Sequence, residues 1–166
     1  MDGNLLTRLS ASAEAGLVSR KYTHTVTGQP NDWATGRFMG SITWDGPMDF
    51  QVTLNGSRGA NESSFSRYNF GNMVGLNVKK ALGRRTEVSV LGSYNKDVYP
   101  GLRTFSATAA PARRIDVTTS GGVGAKFQAT PKIGLGARYL YRARNSRFDP
   151  FDYKDSTISL SSDFIF

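Results

Sequence analysis

His24 is the only imidazole in the chain and lies in a polar stretch between Thr23 and Thr25. A histidine beside a hydroxyl is the raw material of a lipid hydrolase or acyltransferase. Such a nucleophile also needs a base oriented by a third group, and no residue pattern marks one here. Asp149, Asp152 and Asp155 carry the oxygen ligands that a hard cation takes. The intervening Pro150, Phe151 and Tyr153 do not follow a calcium loop, so a solvated acidic loop is expected. Gly121, Gly122 and Gly124 precede no helix and are not a phosphate loop; within a strand they favour curvature. The absence of Cys removes thiolate metal sites and disulfides. No catalytic residue, metal or cofactor is expected, and the chain reads as non-enzymatic.

Charge says more. The net charge is +8 and the isoelectric point is near 10.0. Seven of those eight charges fall in residues 20–32, 56–67, 95–114 and 142–154. A solvated basic surface is the plain explanation. The functional one is attraction to anions, such as lipopolysaccharide phosphates or an acidic glycan. Arg20, Lys21, Arg103, Arg113, Arg144 and Arg147 are the expected anion-binding residues. No basic helix or recognition module accompanies them, so nucleic acid is not an expected partner.

The elements that must carry these residues are strands. From Asp155 to Phe166, Ile158, Leu160, Ser162, Phe164 and Phe166 alternate with Asp155, Thr157, Ser159, Ser161 and Asp163. That period of two gives a strand with one apolar and one polar face. A soluble domain tends to end in a polar, frayed tail. A strand running to an aromatic instead resembles the C-terminal strand that the barrel assembly machinery of outer membranes recognises. Phe164 and Phe166 are the expected assembly signal.

The same alternation recurs seven times upstream. Strands are predicted over Leu5–Tyr22, Trp33–Trp44, around Phe50–Asn55, Tyr68–Lys79, Glu87–Asn95, Arg114–Gln128 and Ile133–Arg142. Turns are expected at Asp45–Pro47, Leu82–Arg84 and Thr130–Lys132. Polar loops are expected over 23–32, 56–64, 96–112 and 143–153. Connections therefore alternate long and short, which is the layout of an outer-membrane barrel. No run of about 18 apolar residues exists, so no transmembrane helix is expected; barrel strands escape that test because half of each is polar. The fold expected is all-β: one domain over residues 1–166, an eight-stranded antiparallel up-and-down transmembrane barrel. MDGNLL lacks the basic start and apolar core of a signal peptide. An exported form would thus be a mature chain with an added Met, or a piece of a longer one.

Period two does not say which face is inside. A soluble lipocalin-like barrel points its apolar face inward, a membrane barrel outward. Three features favour outward. Tyr22, Trp44, Tyr68, Phe70, Tyr94, Tyr141 and Phe166 cluster toward strand ends, as an aromatic girdle does. Mid-strand apolar positions are often Ala, Gly or Val. The polar face carries both charge signs. Arg8, Glu14, Arg37, Asp49, Arg67, Glu87, Asp116, Lys126, Arg138 and Asp155 are then lumen-facing and expected to pair, because unpaired buried charge is costly.

At ATPKIGLGARYLYRARNS and DYKDSTISLSSDFIF the chain resembles the beta-barrel porin 2 family, outer-membrane proteins often associated with exopolysaccharide export. The resemblance rests on the turn at Thr130-Pro131, on Tyr139, Tyr141 and Arg142, and on Phe164 and Phe166. It implies the bacterial outer membrane as location, lipid and lipopolysaccharide as surroundings, and polysaccharide export components as partners. Family members are usually longer, which keeps two arrangements open: a self-closed eight-stranded barrel, or the C-terminal portion of a wider one. The small inward residues suit the wider wall. The matching first and last strands suit self-closure, which is the arrangement expected. A lipocalin-like ligand carrier and an outer-membrane lipid-modifying enzyme remain the alternative readings.

Overall fold

The computed structural model describes residues 8–23, 32–63, 68–101 and 111–164. Eight strands fill them: β1 Arg8–Lys21, β2 Asp32–Gly46, β3 Phe50–Glu62, β4 Tyr68–Leu82, β5 Thr86–Val98, β6 Ile115–Thr130, β7 Ile133–Ser146 and β8 Tyr153–Phe164. They form one sheet in sequence order, each strand antiparallel to the next. The all-β, up-and-down expectation is met. Several strands run further than predicted. Gly56–Glu62 was expected as loop, yet it pairs with Tyr68–Val74. Ala143–Ser146 likewise continues β7 against β6. Alternation ends there because Arg58, Asn72, Lys96 and Asn145 occupy the otherwise apolar face. Backbone hydrogen bonds continue regardless of side chain.

The short turns are tight. Phe50 N donates to Pro47 O at 3.4 Å across Met48 (φ 58°) and Asp49 (φ 55°). Two positive φ values define a type I′ turn, whose mirror twist matches the strands but strains residues other than Gly and Asn. Asp49, expected to face a lumen, is instead held in this turn. Replacing Met48-Asp49 with Asn-Gly should stabilise the hairpin by about 1–2 kcal/mol. A raised unfolding midpoint for the double variant checks this.

Register makes the two faces explicit. One row of partners runs Arg8, Asp45, Gln51, Lys79, Ser89, Gly124, Arg138, Ser159; the next runs Leu9, Trp44, Val52, Val78, Val90, Val123, Tyr139, Ile158. Hydroxyls knit the polar face across strands: Ser12–Ser41 at 2.9 Å, Thr43–Thr53 at 3.1 Å and Ser93–Ser120 at 2.7 Å. The rows are staggered against the strand ends. The row from Tyr153 at the start of β8 reaches β1 at Glu14, seven residues short of Lys21. That is about one residue per strand, the stagger of tilted barrel staves.

The sheet has no conventional hydrophobic core. Among the described residues Tyr68 is the one buried apolar side chain, while Leu54, Leu76, Val90, Val123 and Leu135 are each about half exposed. The buried polar residues are Asn69, Asp97, Arg114 and Asp116. The sheet curls toward its polar face. Asn77 of β4 and Ser161 of β8 line one cavity of about 330 Å³. In a flat sheet those strands would stand about 19 Å apart.

The curl does not complete a barrel. No ladder joins β8 to β1 among the described residues, so the expected closing pair is not formed. β1 is exposed on both faces at every residue but Val18, and β8 at every described residue but Tyr153. The sheet also parts between β2 and β3 beyond Phe38–Arg58. Trp33 occupies the parting and packs on Tyr68 at 4.9 Å and Phe70 at 6.3 Å.

Candidate functional site

The polar face and its loop-side end hold the chemistry. Strand alternation places Arg8, Glu14, Arg37, Glu87, Asp116, Lys126, Arg138 and Asp155 on that face. Register sets Glu87 opposite Lys126 and Asp155 opposite Arg142, favourable cross-strand neighbours. The broad ion-pair network expected of them is not formed. Among the described residues two ion pairs exist, Arg20–Glu62 and Arg114–Asp116. The 330 Å³ cavity explains part of this. Lys79, Glu87, Lys126, Arg138, Ser159 and Ser161 line this space, across which the charges are spread. Three cations against one carboxylate make it a basic pocket.

At the loop-side end, beyond the polar row of Asn72 and Lys96, lies a buried cluster. Asp97 and Asp116 are opposite each other in register. Arg114 forks onto Asp116, Nε to Oδ1 at 2.9 Å and Nη2 to Oδ2 at 2.6 Å. Ser146 Oγ donates to Asp116 Oδ1 at 2.7 Å. The Arg114 guanidinium lies 3.5 Å from the Phe151 ring centroid and 4.6 Å from that of Tyr99. Asp116 is fully buried and Arg114 is 4% exposed. A forked pair between two aromatic rings is a strong, geometrically specific interaction. It ties the β5–β6 connection to the 3-10 turn at Asp149–Phe151.

The two carboxylates are pushed apart in acidity. Burial raises Asp116, but the bonds from Arg114 and Ser146 and the charge of Arg144 outweigh it and hold the group below its ordinary value. Asp97 is raised, chiefly by burial and further by Asp116, against a 2.7 Å bond from Asn95. Tyr99 is raised by burial and by Asp116.

The expected anion-binding cations are dispersed. Lys21, Arg113 and Arg147 are exposed. Arg20 is engaged with Glu62, and Arg144 lies 4.8 Å over the Tyr153 ring. Arg113 and Arg147 share the β6–β7 end, where Arg147 N donates to Ile115 O at 2.9 Å; Arg20 and Lys21 stand at the sheet's far edge. Of the aromatic girdle, Trp44, Tyr94 and Tyr141 are exposed on the apolar face and Phe70 is half-buried. Tyr22 follows β1. Tyr68 is buried against Trp33 rather than outward. Phe164 ends β8, exposed. His24, Arg67, Arg103 and Phe166 lie outside the described residues. No cluster of three or more His, Cys, Asp or Glu able to hold a metal occurs among the described residues.

Sequence reasoning missed Arg114, Asp97, Trp33 and Phe151. Arg114 and Asp116 do share a strand face at i and i+2, which was a readable signal. Fold and site together define an all-β protein built on one antiparallel meander with a polar, charge-bearing inner side. No protein-family model matches the chain, and neither a curated protein nor a solved structure does.

Proposed function

We propose that the chain forms the wall of a bacterial outer-membrane β-barrel, a non-enzymatic, porin-like component with a basic rim that attracts anionic glycan or lipopolysaccharide. The inversion of burial carries this reading: large apolar side chains are exposed on one face, and the shielded face is polar. In water that arrangement wastes the main driving force for folding. In a bilayer it is what stability requires. β4 and β6, at 15 and 16 residues, exceed the 9–11 a tilted spanning strand needs, which lets their polar ends project into water. A groove of about 460 Å³ on the apolar face, between Phe38, Ile42, Leu54 and Val74 over Gly40 and Gly56, has the lining an acyl chain takes. A lipocalin-like carrier needs the apolar face inward, the reverse of the curl. The resemblance to the beta-barrel porin 2 family points the same way, toward a passage connected with polysaccharide export.

Protein refolded into liposomes should float with them, and lipid-borne quenchers should reach Trp44. A protein that stays dispersed without detergent rules the reading out. The basic rim gives a second expectation. Neutralising Lys21, Arg113 and Arg147 together should weaken binding of lipopolysaccharide or a polyuronate about tenfold at low salt, each rim charge contributing a few tenths of a kcal/mol. Raising the salt should weaken the parent protein similarly. An affinity indifferent to both makes the rim a solvated surface. The enzyme reading gains only if His24→Ala abolishes a measured acyl-transfer or hydrolysis.

A further inference from the structure

Among the described residues nothing pairs with the outer edges of β1 and β8, which leaves a row of backbone donors and acceptors open on each. Lipid leaves such groups no partner, so a spanning sheet must close. Resting on the membrane-wall reading, we propose that two copies of this chain close one sixteen-stranded barrel, β8 of each pairing with β1 of the other.

Three observations carry this. The first is direction. β1 and β8 run oppositely, so a twofold axis along the barrel brings unlike edges together in the antiparallel sense of the seven existing ladders. Two such contacts close a ring.

The second is complementarity at the register the wall itself sets. The stagger of about one residue per strand, carried one strand further, sets Lys21 opposite Lys154 of the second copy. Arg20, which is paired with Glu62 within its own copy, then falls opposite Asp155 on the polar side. On the apolar side Leu17 faces Ile158 and Ala15 faces Leu160. Leu17, Ile158 and Leu160 are among the most exposed large apolar residues, at 92%, 76% and 82%. The two lysines meet at the wet rim, where salt screens them.

The third is the polar face. Eight strands closed on themselves leave an interior that side chains must fill. The row Ser12, Ser41, Asn55, Gly75, Ser93, Ser120 is small almost throughout, and Arg142 and Asp155 complete it as a pair of opposite charges. It fits the wall of a sixteen-stranded barrel around water, and among the described residues no ladder joins the two edges.

The chain has no Cys, so engineered thiols report the contact directly. Val18 and Thr157 fall opposite each other in this register. Val18→Cys chains and Thr157→Cys chains, mixed and refolded in liposomes, should oxidise to a species of twice 18.1 kDa; neither should do so alone. With both cysteines in one chain, the two-copy barrel again gives the covalent dimer. A floating monomer with an internal disulfide means self-closure and overturns the proposal. A floating monomer with both thiols free, and monomer mass by native mass spectrometry, overturns it as well. In these last two outcomes the membrane-wall reading survives; protein that does not float removes both.

Discussion

Replacing Asp116 with Asn should release the loops above the polar face. The Arg114–Asp116 pair is almost wholly buried, and Arg114 is held between Tyr99 and Phe151. Removing one charge strands the other, which costs about 3–5 kcal/mol for a buried pair. The loss falls on what the pair ties together. Amide exchange should therefore quicken by at least a hundredfold at Tyr99–Gly101 and at Asp149–Phe151, and little in the middle of β6. Converting both residues to apolar ones of similar volume, Arg114→Met with Asp116→Leu, should recover much of the loss. Exchange unchanged by Asp116→Asn means that the pair holds nothing.

The same cluster predicts a pH profile with a maximum. Asp116 is held below its unfolded value near 3.8, so its contribution is present above that pH and is lost as pH falls through its folded value. Asp97 is raised, so its ionisation penalises the fold as pH climbs through its folded value. Loop stability should be greatest in the acid range between the two titrations. Asp97→Asn should remove the decline on the alkaline side while leaving the acid limb, which belongs to Asp116. A profile that keeps its alkaline decline in Asp97→Asn assigns the decline to another group.

The fold was legible where side chains alternate and obscure where they do not. Ile158, Leu160 and Phe164 against Thr157, Ser159 and Ser161 declare β8 outright, as do Val88 and Val90 for β5. Gly56–Glu62 declares nothing: small and charged residues occupy both faces, and the ladder to β4, joined by β2 as far as Arg58, makes a strand of them. Strand ends outside an apolar band look like loops for that reason. Tyr68 was misplaced because strand period assigns a face but cannot show that β2 and β3 part and let Trp33 in. The carboxylate pair Asp97–Asp116 needed register across a long connection, which local spacing does not encode. Self-closure was expected from the matching polarity of the first and last strands. Polarity fixes strand direction, however, and not curvature.

The largest effect expected on the wall itself comes from neighbouring residues on opposite faces. Val90 is 56% exposed at the centre of the apolar row Leu9–Ile158, while Leu91 points to the polar side between Asn77 and Gly122. In a bilayer, Val90→Arg places a guanidinium near the midplane and should cost about 2–4 kcal/mol. Leu91→Arg puts the same charge toward water on the polar side and should cost under about 1 kcal/mol. Unfolding from lipid should separate the two variants by a wide margin in midpoint. If the sheet instead stood in water with this geometry, Val90→Arg would replace one exposed side chain with another and change stability by no more than about 0.5 kcal/mol. A soluble barrel with its apolar face inward would also suffer from Val90→Arg, but it would show the penalty in plain buffer. Measuring both variants in lipid and in buffer therefore separates three arrangements: a penalty for Val90→Arg confined to lipid supports the outward apolar wall, a penalty in buffer reverses the faces, and no penalty in either removes the membrane from the account.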